Sequence, residues 1–480
     1  MDIKGHKIKG LTCDSRCVKP GFLFAALTGN KADGVDFIED AVQKGAVAIL
    51  CRVYPKKRLN VSCDIIWLFD KNPRQRFALL AAEFYQRQPA KIAAVTGTNG
   101  KTSVVNFLRQ IWSFAGNNAA SIGTLGIQTS NLQSSKTLNT TSKLTTPGAV
   151  YLHQKLSALD DSNFSHVAIE ASSHGLDQHR LDGVKISAAA LTNFTNDHLD
   201  YHKTETSYLQ SKGRLFSRIL DKRGTAIINS DTTHSKQFIR MAKKSVSNIM
   251  TFGTRGADIC LLESRPLADS QQLTLSVFNK EVNLVLPLVG KFQAFNAICA
   301  LGLALSTGTP VEKALKAMQS LKGVRGRLEL VAHHPSGASV YVDFAHTPDA
   351  LNNLLTALRP FVLGKLHLVF GCGGERDNKK RSEMGRIANT LADSIIVTDD
   401  NPRNENPSSI RNQIISTCPK ALEIGDRAIA IRKAVGQLVQ GDILVVAGKG
   451  HEEEQVIGDA VYAFSDSKVI KASVKDTLDE

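Results

Sequence analysis

Lys91-Ile92-Ala93-Ala94-Val95-Thr96-Gly97-Thr98-Asn99-Gly100-Lys101-Thr102-Ser103 holds, in consecutive residues, the parts of a phosphate site. Ile92 to Val95 read as a short apolar strand running into a glycine-bearing turn and then Lys-Thr. Beyond it Val104, Leu108, Ile111, Trp112 and Ala115 recur at helical spacing. A turn of this kind aims backbone N–H groups and a helix N-terminus at phosphate oxygens. Lys101 adds a point charge for the terminal phosphates, and the Thr102 hydroxyl a ligand for Mg²⁺. Val95 stands where the first glycine of G-x-x-x-x-G-K-[ST] belongs, so the match to the general P-loop is incomplete. The strand before it and the helix after it select a nucleotide-phosphate site, for ATP or something like it, over an ordinary loop.

Other residues could join that chemistry. Glu170 ends the apolar strand His166-Val167-Ala168-Ile169-Glu170 and is placed like the acidic metal partner of a phosphate loop. Lys212 lies within the apolar stripe Tyr208, Leu209, Leu215, Phe216 and Ile219 of a helix. Such a lysine either snorkels its charge outward or is buried and compensated. Carbamylation by CO₂ is one compensation, since it turns the amine into an anionic oxygen ligand for a metal. His198, in Asn-Asp-His-Leu-Asp, is either a solvated loop histidine or a metal ligand.

A second set lies towards the other end of the chain. Gly371-Cys372-Gly373-Gly374-Glu375-Arg376 is not a dinucleotide fingerprint, because Arg376 replaces the last glycine of G-x-G-x-x-G. Arg376 and Arg403, on loops after neighbouring strands, instead resemble a carboxylate clamp, because guanidinium groups bind carboxylates bidentately. Glu452, on a third loop, could pair with an ammonium. Two arginines and one glutamate suit a zwitterionic ligand.

These residues need elements to hold them. At 480 residues the chain is long enough for about three domains. Residues 1–88 form a first unit, with a strand over Phe22–Leu27, a helix over Phe37–Lys44, a strand over Ala46–Leu50 and a helix near Gln75–Gln88. Residues 89–324 form a second, in which strands alternate with helices, Ala188–Leu191 being another strand; this pattern implies a mostly parallel, helix-covered sheet. Residues 325–480 form a third, with strands at Val340–Val342, Leu366–Phe370, Ile395–Thr398 and Ile443–Val446, each running into a polar loop. The expected fold class is α/β: a small N-terminal α/β domain, a central P-loop-type parallel-sheet domain and a Rossmann-like C-terminal domain. Ligands gather at the carboxyl ends of such strands, where the phosphate loop, Glu170 and His198 all fall.

Composition sets limits. A hydrophobic share of 42% with 22% charged residues is that of a globular soluble chain. No apolar run approaches the roughly 18 residues of a membrane span, and the N-terminus lacks the apolar core of a secretory signal. The eight cysteines are scattered without zinc spacing, as expected of reduced thiols. The net charge of +14 suits either nucleic acid or polyanionic small substrates. The basic residues are dispersed and aromatics are 6% of the chain, so nucleic acid is the weaker reading and no such partner is expected.

Thr-Gly-Thr-Asn-Gly-Lys-Thr, Glu-Ala-Ser-Ser-His-Gly-Leu, Asn-Asp-His-Leu-Asp-Tyr-His, Gly-Arg-Leu-Glu (326–329), Asp-Phe-Ala-His-Thr-Pro-Asp (343–349), Phe-Gly-Cys-Gly-Gly-Glu-Arg-Asp and Asp-Asn-Pro-Arg, taken together and in order, resemble the Mur ligases. The resemblance covers essentially the whole chain. It implies a cytoplasmic, ATP-dependent step of peptidoglycan synthesis in which a carboxylate of a UDP-linked substrate becomes an acyl phosphate and an incoming amine displaces phosphate. It implies that Gly97, Thr98, Asn99, Gly100, Lys101 and Thr102 hold ATP phosphates, with Asn296, Arg327, Asp343 and His346 as further ATP contacts. Gln293-Ala294 departs from the asparagine expected early in the motif around Asn296. Two Mg²⁺ are implied, one on Thr102 and Glu170, the other on His198 and a carbamate of Lys212. Lys101, Lys212 and His198 would be the catalytic group.

By the same resemblance, UDP-N-acetylmuramoyl-L-alanyl-D-glutamate would lie on Ser15, Asn30, Lys31 and Ala32 and continue over Thr145, Thr146, Ser172, Gln178 and Arg180. Arg376, Asp400, Asn401, Pro402, Arg403, Gly448 and Glu452 would take the incoming amino acid. Diaminopimelate differs from lysine by a second carboxylate that needs a cation, and Arg403 in Asp-Asn-Pro-Arg resembles the diaminopimelate-specific loop. The expected substrate is therefore meso-2,6-diaminopimelate, and the expected state a monomer. An L-lysine-adding relative and a folylpolyglutamate synthetase-like ligase are the neighbouring readings; a nucleic-acid-binding P-loop ATPase is the reading from another class.

Overall fold

The structure, a computed structural model, describes residues 1–29, 32–55, 64–130, 144–195, 197, 199–246, 248–375 and 377–479, with the backbone alone at 199, 200, 478 and 479. Contacts divide the chain into two units, one of residues 1–252 with 299–314 and one of residues 253–298 with 315–480.

Besides the short antiparallel pair Asp2–Ile3 and His6–Lys7, the first unit contains two larger sheets. The smaller has four parallel strands in chain order, Gly10–Thr12, Phe22–Ala25, Ala46–Cys51 and Ile66–Phe69. Helix Ile38–Gln43 supplies Ile38, Ala41 and Val42 to one side, and helix Pro73–Tyr85 supplies Phe77, Leu80 and Ala81 to the other. A parallel sheet covered on both faces reads as continuous apolar runs, and Leu23–Ala26 and Ala48–Cys51 are such runs. The larger sheet has the neighbour order Asn248–Gly253, Leu220–Asn229, Ile186–Leu191, Lys91–Thr96, His166–Glu170 and Ala119–Gly123, all parallel. Gly126–Thr129 returns antiparallel at its edge.

Register is what places the chemistry. Glu170 pairs with Val95 and Leu191 with Thr96, so the loops after three adjacent strands open at one level. Helix Lys101–Phe114 follows the central strand and buries Val104, Leu108, Ile111 and Trp112 completely. Each such side chain contributes roughly 1.5–3 kcal/mol, which fixes the helix start beneath the turn. The helix ends at Phe114, leaving Ala115 as a half-buried cap.

The second unit carries a six-stranded sheet in the order Glu329–His333, Ser339–Asp343, Ile443–Ala447, Leu366–Phe370, Ser394–Val397 and Leu422–Glu423. Only the Glu329–His333 edge is antiparallel. Helices Pro348–Leu358, Lys379–Leu391 and Pro407–Ile415 pack on one face and Arg427–Val435 and Asp466–Asp479 on the other. Strand Ile443–Ala447 lies between two strands that precede it in the chain, which brings the loops after Asp343, Phe370, Val397 and Ala447 together at the carboxyl edge. The antiparallel strands Ile259–Pro266, Gln271–Val277 and Lys280–Leu286 were not anticipated. Leu273, Leu275 and Val277 alternate with more exposed residues, the period-2 pattern of a strand with one buried face. Among the described residues no helix is long and apolar enough to cross a membrane.

Candidate functional site

The phosphate turn is built on glycine. Gly97 has φ +149° and Gly100 φ +86°, both disfavoured for residues with a side chain. A Cβ on Gly97 would run into the Thr192 hydroxyl. Asn193 pins the turn from the neighbouring strand end, its carbonyl accepting from Thr98 N at 3.1 Å and its Oδ1 from Asn99 N at 2.8 Å. Lys101 Nζ donates to the carbonyls of Gly97 and Thr98, each at 2.8 Å, so its charge sits over the turn.

Behind the turn the Thr102 hydroxyl donates to Glu170 Oε2 at 3.0 Å. Glu170 is 1% exposed and also accepts from Thr124 N at 2.8 Å and Thr124 Oγ1 at 3.2 Å. This hydroxyl–carboxylate pair is an all-oxygen donor set, the kind Mg²⁺ prefers. Thr124 lacked any local signal in the sequence, since its turn reaches Glu170 only through strand pairing. Among the described residues no three His, Cys, Asp or Glu side chains gather as a ready-made metal cage.

Lys212 reaches the same turn. Helix Glu205–Arg214 buries Tyr208, Leu209 and Lys212, and the Lys212 Nζ donates to Gly97 O at 2.7 Å and lies 4.4 Å from the centre of the Tyr208 ring. No carboxylate of the described residues comes within ion-pair distance of it. Burial, and then the nearby Lys101 charge, push its pKa well below the ordinary lysine value, against a weaker pull from Asp197. The charge does not snorkel to solvent. His198 lies outside the described residues.

Five of the residues expected to hold the UDP-linked substrate, Thr145, Thr146, Ser172, Gln178 and Arg180, form a connected group beside Glu170. Thr146 donates to Glu170 O at 2.7 Å and accepts from Ser172 N at 2.9 Å, with the Ser172 hydroxyl 3.0 Å away. Arg180 donates to Thr146 O at 2.6 Å and to Gln178 Oε1 at 2.7 Å. Thr145 joins through the Thr124 hydroxyl at 3.4 Å. Two residues without an assigned role extend the chain, because Gln178 donates to the Tyr201 hydroxyl at 3.2 Å and that hydroxyl donates to Asp177 at 2.8 Å. Ser15 is buried in a single 3₁₀ turn capped by Asp14, and Ala32 O accepts from Gly29 N. Asn30 and Lys31 lie outside the described residues.

In the second unit the Asp399–Arg403 loop meets the loops after Phe370 and Ala447. Arg403, at φ +51°, donates from one terminal nitrogen to Gly374 O at 2.8 Å and Asn401 O at 3.4 Å. Its other terminal nitrogen carries no hydrogen bond among the described residues, so one edge of the guanidinium is anchored and the other is presented. Asn401 Nδ2 donates to Glu452 Oε2 at 3.1 Å. Asp400 Oδ1 accepts from Asn401 N at 2.7 Å, and Pro402 O accepts from Glu405 N at 3.1 Å. Gly448, at φ +114°, could not carry a Cβ without placing it 2.7 Å from Asp400 Oδ2. Arg376 lies outside the described residues.

Three buried cations stand behind these loops, and none was singled out from the sequence. Arg381 is fully buried; it donates to Gly373 O at 3.3 Å and pairs with Glu405 at 2.9 Å, and Glu405 in turn accepts from Glu375 N. Arg427 pairs with Asp466 at 2.7 Å and donates to Ala447 O at 2.9 Å. Lys449 donates to Asn401 Oδ1 at 3.0 Å and Glu452 Oε2 at 3.2 Å. Arg381 and Arg427 take their acids from distant segments, whereas Lys449 takes Glu452 from its own loop and Asn401 from another.

The expected ATP contacts of this unit sit on the same sheet edge. Arg327 lies 4.3 Å over the Phe344 ring. Asp343 spends its carboxylate on backbone, accepting from Leu328 N at 2.6 Å and Ala345 N at 2.7 Å. Burial pushes its carboxyl above the usual range, against the pull of Arg327. His346 Nδ1 is 2.8 Å from Phe344 O. Asn296, in helix Lys291–Ser306, donates to Gln293 Oε1 at 3.1 Å, and Gln293 donates to Arg327 O at 3.1 Å, so the departing Gln293 ties the helix to Arg327. His451 was not anticipated: its Nδ1 is buried without a partner, and burial, followed by the Arg327 and Arg325 charges, pushes its pKa down to about 4.

Comparison with known proteins identifies the family of the chain. The model of the Mur ligase family, catalytic domain, matches residues 7–85; the Mur ligase middle domain matches 95–304; and the Mur ligase, glutamate ligase domain, matches 326–450. The chain is 47% identical over 474 residues to the UDP-N-acetylmuramoyl-L-alanyl-D-glutamate–2,6-diaminopimelate ligase of Brucella melitensis, covering 99% of this chain and 95% of that one. A solved structure of a UDP-N-acetylmuramoyl-L-alanyl-D-glutamate–2,6-diaminopimelate ligase matches with a TM-score of 0.73 at 31% identity, covering 100% of this chain and 98% of that chain. MurF ligase from Thermotoga maritima in complex with ADP shares the fold, with a TM-score of 0.65 at 17% identity over 98% of this chain and 97% of its own. The chain belongs to the Mur ligase family.

Proposed function

We propose that this protein is an ATP-dependent ligase that joins meso-2,6-diaminopimelate to UDP-N-acetylmuramoyl-L-alanyl-D-glutamate in the cytoplasmic stage of peptidoglycan synthesis. The observation that carries the reading is the Asp-Asn-Pro-Arg loop, where Arg403 is anchored by two carbonyls beside the Asn401–Glu452 pair. A cation and an anion held side by side suit a zwitterion with an additional carboxylate.

The chemistry follows from the parts. The γ-phosphoryl group passes from ATP to the D-glutamyl carboxylate, ADP leaves, and an acyl phosphate remains. The amine of diaminopimelate attacks its carbonyl carbon, and the tetrahedral adduct expels phosphate while the nitrogen loses a proton. Such transfer needs positioning and charge neutralisation more than a protein nucleophile. Gly97–Thr102 would hold the phosphates, with Asn296, Arg327, Asp343 and His346 as further ATP contacts. Ser15, Asn30–Ala32, Thr145, Thr146, Ser172, Gln178 and Arg180 would hold the UDP-linked substrate. Arg376, Asp400–Arg403, Gly448 and Glu452 would hold the amino acid.

Mg²⁺ would neutralise phosphate charge during transfer, held by Thr102 and Glu170, with a second ion on His198 and a carbamate of Lys212. The buried Lys212 amine, lacking an acid partner among the described residues, favours the carbamate, because a neutral amine is the form that adds to CO₂. We place the domain boundaries near residues 88 and 324 and expect a monomer.

The test is phosphate release from ATP with the UDP-linked dipeptide present, comparing meso-diaminopimelate with L-lysine. Release with diaminopimelate alone is expected. Release with lysine would overturn the role of Arg403, and release with neither would overturn the ligase.

A further inference from the structure

Lys449 differs from the other two buried cations of its unit in what it touches. Arg381 and Arg427 end on Glu405 and Asp466, which lie outside the set expected to bind the amino acid. Both acceptors of Lys449, by contrast, are members of that set. Its side chain has no exposed surface, and its ammonium donates to Asn401 Oδ1 at 3.0 Å and Glu452 Oε2 at 3.2 Å.

These bonds decide which way two binding groups face. Asn401 Oδ1 also accepts from Val456 N at 3.0 Å, while Nδ2 donates to Glu452 Oε2 at 3.1 Å. A flipped amide would set its NH₂ against an ammonium and a backbone N–H, so the orientation is fixed. Glu452 Oε2 therefore takes two donors, and Oε1 carries no hydrogen bond among the described residues. The backbone is shaped to bring the lysine here: Gly448 and Gly450 flank it at φ +114° and +55°, and a Cβ on Gly450 would lie 2.8 Å from Gly326 O. A buried ion pair is often no better for stability than an apolar pair of the same volume. The geometry around Lys449 therefore points to orientation of its partners.

We propose that Lys449 is a positioning residue of the amino-acid pocket: it turns Asn401 and Glu452 so that Glu452 Oε1 faces the ammonium group of the incoming amino acid. This rests on reading the Arg403–Asn401–Glu452 group as the amino-acid site. Arg403→Ala and Glu452→Gln test that reading separately; if both leave the KM for meso-diaminopimelate unchanged, the site is elsewhere and the role of Lys449 falls with it.

The experiment measures KM for meso-diaminopimelate, ATP and the UDP-linked dipeptide in Lys449→Met, in Glu452→Gln and in the double variant. Lys449→Met is expected to raise KM for diaminopimelate about tenfold, the scale of one lost charge-assisted contact, with the other two constants within about twofold. Because Lys449 acts through Glu452, adding Lys449→Met to Glu452→Gln is expected to cost little more. A lowered KM would mean that the lysine only blocks Glu452, and would overturn the proposal. Equal loss for all three substrates, or full additivity in the double variant, would also overturn it by showing a purely structural lysine. If Lys449→Met does not fold, Lys449→Gln, which keeps a donor in the same space, is read in the same way with a smaller rise.

Discussion

Lys212 and Lys449 are the two buried lysines of the described residues, with 1% and 0% of their surfaces exposed. Lys449 ends on a carboxylate and an amide oxygen. Lys212 ends on a backbone carbonyl and the face of a tyrosine, with a second lysine as its main electrostatic neighbour. Burying an ammonium costs several kcal/mol unless it is well paired. The Lys449 environment pairs the ammonium with two acceptors that it can orient. The Lys212 environment disfavours the cation and favours a neutral amine beside a phosphate turn. The difference separates a lysine suited to holding geometry from one suited to being chemically altered, and it assigns the proposed carbamate to one position only.

The largest effect that could break this comparison is on catalysis. Lys212→Ala should lower kcat on the order of 10²–10³-fold, as removal of a charge-stabilising group does, with partial return on adding short carboxylates. A full loss that no carboxylate relieves would weaken the carbamate. Glu170→Gln should raise the Mg²⁺ requirement about 10–100-fold, as loss of a metal-orienting group does; an unchanged requirement in a magnesium titration would remove Glu170 from the metal. Arg403→Ala should raise KM for diaminopimelate by about 10–100-fold, the value of a charged hydrogen bond, and leave ATP nearly unaffected. Equal losses for both substrates would point to misfolding.

The smallest effect is on stability, and it sharpens the contrast from the acid side. Burial alone would raise the Asp182 pKa, but the adjacent His179 and the Arg214 guanidinium, which donates to both carboxylate oxygens, more than reverse it and leave it at about 2. Because the folded value lies below the unfolded one, the stabilisation is full above about pH 4 and is lost as pH falls towards 2. Asp182→Asn should therefore cost about 2 kcal/mol at neutral pH and flatten the acid limb of a thermal unfolding series. An acid limb identical to that of the unaltered protein would contradict this.

What was legible in the sequence was what is local. The phosphate turn puts strand, glycines, Lys101 and Thr102 within a few residues, and the structure keeps them in that order. Glu170 was legible because a strand end next to a strand end needs only parallel pairing. The apolar residues around Lys212 at helical spacing left two readings, an outward-reaching charge or a buried amine, and the structure has the buried one. Thr124, which donates twice to Glu170, was not, because its contact exists only once Ala119–Gly123 pairs with His166–Glu170. Arg381 and Arg427 were not, because each acquires its acid, Glu405 or Asp466, from a distant segment; Lys449 was not, because it lies between two glycines and its amide partner Asn401 comes from another loop, although its acid Glu452 is only three residues on. The antiparallel strands over 259–286 carried a legible alternation at Leu273, Leu275 and Val277, outweighed by the βα pattern around them.

The most direct test of the contrast between the two lysines is a carbon-13 spectrum of the intact enzyme equilibrated with labelled bicarbonate. One carbamate carbon is expected, present in the unaltered protein and in Lys449→Met and absent from Lys212→Ala. A signal that survives Lys212→Ala, or no signal from an active enzyme, would contradict it.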